Sequence, residues 1–409
     1  MRRRGKRRKG RRPAGEKGHG GSANSPYTPA VVAAVLLLPI AGFLLAAPLT
    51  AWLAAAGRRL GTLDSPGAAG HDKELRRVPN IGGIAIVSAV AVPMLAGLLL
   101  LRLAPDALVR ALPAIEPHLE RLRSSEPAAW GILAAMLAIH LLGLRDDRRS
   151  LPPLPKLAAQ AAAAVLVAWL LDTRLLTLLD SMGPAGVLLS IAATVLWIVA
   201  ITNAINFLDN MDGLAGGVAA IATAVLLAAT LINSQWFVAA LLACLLGGLL
   251  GFLAFNFPPA RIFMGDGGSL PVGFLLGVLT VRTTYTDPGD PQFLLGSAWY
   301  GVFMPLLVLA IPLYDLVAVC LIRLREGRPP WVGDQRHLSH RLLLRGMTPR
   351  RAVLTIWSLA AIVGISGILI GSLRPWQAVL VAAQAAAVLG VLAMLERFTR
   401  PHREGNQAP

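Results

Sequence analysis

Charge is what this chain has least of. Of its 409 residues only 15% are Asp, Glu, Lys or Arg, where a soluble domain carries about a quarter. With 55% apolar residues and a mean hydropathy of +0.63, that deficit excludes an ordinary soluble globule and points to a membrane protein. Cysteine is nearly absent. Cys244 and Cys320 both fall in apolar segments, so neither a disulfide framework nor a thiolate metal cluster is available. Aromatic residues make up 6% and nowhere alternate with basic ones as on a nucleic-acid-binding surface. The net charge of +16 therefore argues for no nucleic-acid partner. No internal repeat is visible. A cleavable signal is not expected either, because residues 13–29 separate the basic start from the first apolar run.

What is present is a series of apolar runs. A spanning helix needs about 20 mostly apolar residues. Eleven such runs lie near 30–55, 81–101, 127–144, 157–171, 185–204, 214–232, 236–255, 269–285, 299–322, 352–372 and 376–396. The expected fold is all-α and polytopic, with about 11 transmembrane helices. A basic tail over 1–29, expected to be disordered, precedes the membrane domain at 30–396, and a short tail follows at 397–409. Loops 57–80, 145–156, 205–213, 256–268 and 323–351, with the C-terminal tail, hold 21 Lys and Arg. The opposite loops hold seven, counting Arg282 at its helix end. Basic loops stay in the cytoplasm, so the first set faces inward. That orientation leaves the ten basic residues of 1–29 outside, against their charge; the loop totals, which integrate many segments, set the orientation.

The acids are not scattered. Asp146, Asp147, Asp209, Asp212, Asp266 and Asp334 all lie in the inward loops, the first five at helix ends. One or two such residues are ordinary solvated helix ends. Five on one face repel one another unless a cation sits among them. Mg²⁺ takes a few carboxylates together with substrate phosphates. The pattern predicts phosphoryl chemistry on the cytoplasmic side.

Three segments make this specific: Arg145 to Leu151 with its Asp146-Asp147 pair, Asn203 to Ala215 with Asn206, Asp209 and Asp212, and Phe263 to Ser269 with Asp266. In order and loop placement they resemble the acidic signatures of the polyprenyl-phosphate N-acetylhexosamine-1-phosphate transferase family. Asp64-Ser65-Pro66, Arg77 to Gly83 and Asp334 to Arg341 extend the likeness. Two positions depart from the family pattern: Asn210 stands where Gly is usual, and Ser339 replaces a histidine in the last segment.

The resemblance implies a reaction in the bacterial inner membrane. A UDP-N-acetylhexosamine and polyprenyl (undecaprenyl) phosphate give a polyprenyl diphospho-sugar and UMP, starting a lipid-linked cell-envelope glycan. A homodimer is an accompanying expectation. The implied catalytic residues are Asp146, Asp147 and Asp266. Asp266 is the leading ligand for Mg²⁺, with Mn²⁺ able to substitute, and Asp209 is a second candidate ligand. Asp146 and Asp147 lie where a lipid phosphate enters, as positioning groups, base or nucleophile. Gly265, Gly267 and Gly268 would let the backbone approach the diphosphate. Lys156 would hold a phosphate, although a plain topology anchor would look the same. Asn203, Asn206, Asp209 and Asp212 are three apart and share one face if the helix continues; nucleoside and sugar recognition would satisfy the amides. Arg77 would meet phosphate, and His337 and His340, three apart, would contact the diphosphate or sugar.

Two alternatives stay open. Phospho-N-acetylmuramoyl-pentapeptide transferase is related, but it carries three consecutive histidines where this chain has His337-Leu338-Ser339-His340. A transporter would use an intramembrane acid such as Asp315, but transporters place such groups near the midplane in paired halves, and no halves match here.

Overall fold

The computed structural model describes residues 29–60, 78–170, 174–284, 303–331, 336–370 and 373–398. Arg77, Asp334, the first-loop residues 61–77 and the basic tail lie outside them, so the readings made on those residues are not addressed. Among the described residues the chain is helical, with no strand.

All eleven apolar runs are helical where described. The first two become α1 (Pro29–Leu60) and α2 (Gly83–Leu103). Two short helices, α3 (Pro105–Ala111) and α4 (Leu119–Ser124), bridge to α5 (Glu126–Arg148). Then come α6 (Pro153–Val165), α7 (Pro184–Leu208), α8 (Leu214–Ile232), α9 (Trp236–Asn256) and α10 (Asp266–Thr284). The ninth run is broken at Leu309 into α11 (Met304–Val308) and α12 (Ala310–Arg325). A short α13 (Leu338–Leu343) precedes α14 (Pro349–Leu369) and α15 (Pro375–Phe398).

Eight of these, α1, α2, α5, α7, α8, α9, α14 and α15, are long and apolar enough to cross a membrane. Those at α6, α10 and α11–α12 are shorter, more polar or interrupted. Helices hydrophobic on every side belong in a protein core or in lipid. Here both occur: α8 and α9 are mostly enclosed, while α1 and α15 expose Leu36, Leu37, Val379 and Leu380 outward. Without a hydrophobic force between helices in lipid, packing relies on close approach of small residues. Gly42 and Ala46 of α1 meet Gly247 and Gly251 of α9 in that way.

The arrangement positions a site at one end of the bundle. There the C-terminal ends of α5, α7 and α12 meet the N-terminal ends of α8, α10 and α13. Among the described residues, Asp146, Asp147, Asn203, Asn206, Asp209, Asp266 and His337 sit on or next to these ends, with Lys156 at the start of α6 and Asp212 on the turn between α7 and α8.

Candidate functional site

Begin with the start of α10. A helix leaves its first N–H groups without partners. Here they are met from another helix: Asp147, at the end of α5, accepts from Asp266 N at 2.9 Å with Oδ1 and from Gly267 N at 2.8 Å with Oδ2. Asn80 donates to the same Asp147 Oδ1 at 3.0 Å. Nearby, Gly82 N and Gly83 N donate to the carbonyls of Phe263 and Met264, and Phe263 N donates to Pro79 O. The loop with Asn80-Ile81-Gly82-Gly83 thus grips the loop that precedes Asp266. Gly265, at φ +68, turns the chain in the left-handed region against Asn80 and Asp147. The glycines expected to face a diphosphate face protein instead: Gly267 lies against Leu144 and Gly268 against Gly83.

The Asp pair divides its labour. Asp147 holds α10. Asp146 turns to the next loop, accepting from Leu151 N at 2.6 Å and from Lys156 Nζ at 2.8 Å. Lys156 also bonds Asp266 Oδ2, so one ammonium stands between two carboxylates 120 positions apart in the chain. Asp266 Oδ1 accepts from Asn206 Nδ2 at 2.8 Å, and the same nitrogen lies 2.9 Å from Ser269 Oγ. Asn203 Nδ2 donates to Gln160 Oε1 at 2.6 Å. Gln160 is fully buried one helical turn beyond Lys156. Asp146, Lys156, Asp266 and Asn206 therefore form one connected centre, with Asn203 and Gln160 behind it.

The centre suits an oxygen-liganded cation. The Lys156 ammonium already stands where a cation would balance the two acids. Among the described residues no three His, Cys, Asp or Glu side chains gather to enclose an ion. Mg²⁺ bound by one or two carboxylates, completed by water and substrate phosphates, matches that donor set.

The second signature differs from the expected continuous helix. α7 stops at Leu208, with Asp209 at φ −78, ψ 43, and α8 starts after Gly213 at φ +74. Only Asn203 and Asn206 share the helical face. Asp209 ends α7, and Asp212 lies on the turn, where its Oδ2 accepts from Ala260 N at 3.0 Å. Asn256, buried at the end of α9, ties this turn to the next loop: its Oδ1 accepts from Gly213 N at 2.9 Å and its Nδ2 donates to Ile262 O at 2.8 Å.

The histidines are not a pair on one helix face. α13 starts at Leu338, and His337 is extended at φ −67, ψ 154 just before it. His337 is buried, with Nδ1 at 2.8 Å from Asp315 Oδ2 and its ring edge-on to Phe207 at 5.6 Å. Asp315 is fully buried in α12 and also accepts from Leu338 N at 2.7 Å. Arg341 Nη2 lies 3.7 Å from Asp315 Oδ1. His340 is half-buried on α13.

Sequence reasoning overlooked Asn80 as a support of Asp147, and His140. A lone histidine in an apolar helix was the available signal: His140 Nδ1 lies 2.5 Å from Gly267 O and ties α5 to α10. Beside it, Gly143 leaves room for that helix start, since a Cβ there would sit 2.2 Å from Asp266 O. Gly143→Ala should push α10 away from α5, lowering stability by about 1–3 kcal/mol as overpacking usually does. Thermal unfolding in detergent, with activity at saturating substrate, checks this; an unchanged Tm with full activity would refute the close packing.

Comparison with known proteins places this geometry. A model described as glycosyl transferase family 4 matches residues 129–284, a stretch with all three acidic signatures. A Bacillus subtilis protein named "Probable undecaprenyl-phosphate N-acetylglucosaminyl 1-phosphate transferase" is 28% identical over 77% of this chain and 78% of its own length. The decaprenyl-phosphate N-acetylglucosaminephosphotransferase of Mycolicibacterium smegmatis is 32% identical over 77% and 76%. The undecaprenyl-phosphate alpha-N-acetylglucosaminyl 1-phosphate transferase of Escherichia coli is 30% identical over 46% and 49%.

Proposed function

Because the chain belongs to glycosyl transferase family 4, we propose that it transfers N-acetylglucosamine 1-phosphate from a UDP-sugar to polyprenyl phosphate, releasing UMP. The observation that carries this reading is the Lys156 ammonium shared by Asp146 and Asp266 at the capped start of α10. The names of the relatives favour this reaction over the muramoyl-pentapeptide one. They also disfavour transport, as does the gathering of acids at one end of the bundle.

In the step, a lipid phosphate oxygen forms a bond to the β-phosphorus of the nucleotide while the bridging bond to the α-phosphate oxygen breaks, and UMP leaves with that oxygen. Both partners are anionic, so charge neutralisation and alignment dominate the barrier. A phosphate monoester with a second pKa of about 6 is largely ionised already, and no strong base is required. Asp146 is thus better read as a positioning group: it fixes Lys156, whose ammonium can pair with a phosphate oxygen. Asn206 aims Asp266 through its amide. The Asp266 side chain is 27% exposed against 12% for Asp146 and 15% for Lys156, so it is more open to a ligand than Asp146 and would hold Mg²⁺. Such an ion, when bound, neutralises phosphate oxygens and stabilises the leaving group. His337, oriented by Asp315, and His340 would contact the donor.

Purified protein with polyprenyl phosphate and a panel of UDP-sugars tests the proposal. UMP release with UDP-N-acetylglucosamine, lost on chelation and restored by Mg²⁺, is expected. Release with no donor in the panel would end it, and full turnover without a divalent ion would end the metal assignment.

A cytosolic nucleotide donor requires the site to face inward in the cell membrane. Cysteine introduced at exposed Ser150 should resist an impermeant thiol reagent in intact cells, and cysteine at exposed Ser124, on the opposite side by the loop charges, should react. Reversed labelling would overturn the orientation.

A further inference from the structure

The segment that carries the two histidines is docked onto the site from two directions. Asp315 holds it from α12 through His337 and Leu338, as described above. The second hold crosses 129 residues of chain: Ser339 Oγ donates to Asn210 Oδ1 at 2.5 Å. Ser339 is only 1% exposed. Asn210 is not free to swing, because its Nδ2 donates to Phe207 O at 2.6 Å. Phe207 in turn presents its ring to His337. One turn of chain, Phe207 to Asn210, therefore meets two neighbours in the histidine segment, His337 and Ser339.

The contact also has a steric side. With an amide oxygen at 2.5 Å and almost no solvent access, a large side chain at 339 has no room while Asn210 is present. Asn210 is not among the residues with positive φ, so the backbone there does not need glycine. These two touching positions are the two departures from the family pattern noted in the sequence.

We propose that Asn210 and Ser339 form a positioning pair, a latch that sets where the histidine segment sits against the end of α7, four residues from Asn206 of the acidic centre, and so sets affinity for the sugar nucleotide. The proposal rests on the reading that this segment meets the donor. The pair acts through His337 and His340 and touches neither reacting phosphate. Each residue is useful only with its partner, so their effects should not add.

A double-mutant cycle on the full-length enzyme in detergent tests this. Asn210→Ala and Ser339→Ala should each raise KM for the UDP-sugar about fivefold, the worth of an ordinary hydrogen bond. Both should leave kcat and the KM for polyprenyl phosphate nearly unchanged, which a general loss of structure would not do. The double variant should be no worse than the weaker single. A steric arm guards against poor folding of the alanine variants. Ser339→His alone should be strongly impaired, and adding Asn210→Gly should recover most of the loss by clearing the space. Additive effects in the cycle, singles within about twofold of wild type, or a Ser339→His chain not improved by Asn210→Gly would each overturn the latch. His337→Ala and His340→Ala, assayed alongside, separate the two ideas. If they leave KM unchanged, the histidines leave the donor site and a latch that acts through them falls with that reading, even where the cycle couples. If they raise KM while the cycle is additive, the latch alone falls.

Discussion

Asp266→Asn should abolish most turnover in a chain that remains folded. The fold survives because the side chain of residue 266 does not cap its own helix: the backbone N–H groups of Asp266 and Gly267 are held by Asp147, and the substitution leaves them in place. The asparagine keeps an oxygen for Asn206 Nδ2. What it loses is charge, and its amide nitrogen then points a donor at the Lys156 ammonium. Removing one preorganised electrostatic group commonly costs about 10²–10³ in kcat, and if Asp266 holds Mg²⁺ as proposed the loss belongs at the upper end. Asp147→Asn should behave differently. It leaves one oxygen where two accept from the start of α10, so stability should fall by about 1–3 kcal/mol, as for a buried group left unpaired. Tm and kcat measured on both variants decide the matter. If Asp266→Asn retains a tenth or more of wild-type kcat, or if it unfolds while Asp147→Asn does not, the division of labour between the two acids is wrong.

Lys156→Met should do both kinds of damage. The ammonium pairs with Asp146 and Asp266 alike, and all three side chains are largely screened from water. Removing one member of such a group leaves like charges facing each other, a loss of about 3–5 kcal/mol in buried settings. Turnover should fall about 10²-fold or more if the ammonium pairs with a substrate phosphate as proposed. The sign of the metal response adds a test: with the ammonium gone, Mg²⁺ should raise the Tm of the variant more than that of wild type. A Lys156→Met enzyme with normal Tm and near-normal kcat would return Lys156 to the status of a topology anchor.

The fold was readable because lipid imposes a simple rule on sequence. Each of the eleven apolar runs is helical where described, and eight of those helices are long and apolar enough to span, since backbone groups in a bilayer can be satisfied within a helix and nowhere simpler. Boundaries were less readable: α7 stops at Leu208 because Gly213 and the bonds to Asp212 favour a turn, and no apolar period marks that. Within the site, residue types and rough location were legible, while partnerships were not. Nothing in Asp146-Asp147 says that one acid reaches Lys156 and the other caps a helix more than a hundred residues away. That assignment depends on where α10 begins in space. The histidines illustrate the same limit. Spacing of three suggested a shared helical face, but Asp315 captures Leu338 N and starts the helix one residue too late for His337 to join it. In the sequence Asp315 is only an acid inside an apolar run; its ties to His337 and Arg341 appear in three dimensions.

Asn256 carries a consequence for molecules designed to occupy this site. By joining the turn at Gly213 to the loop at Ile262, four residues before Asp266, it fixes the backbone leading to the acidic centre with the protein's own bonds. A ligand that settles there need not organise the turn, so little of its interaction energy is spent on ordering protein. Rigid compounds complementary to that turn should therefore keep the full benefit of their own rigidity.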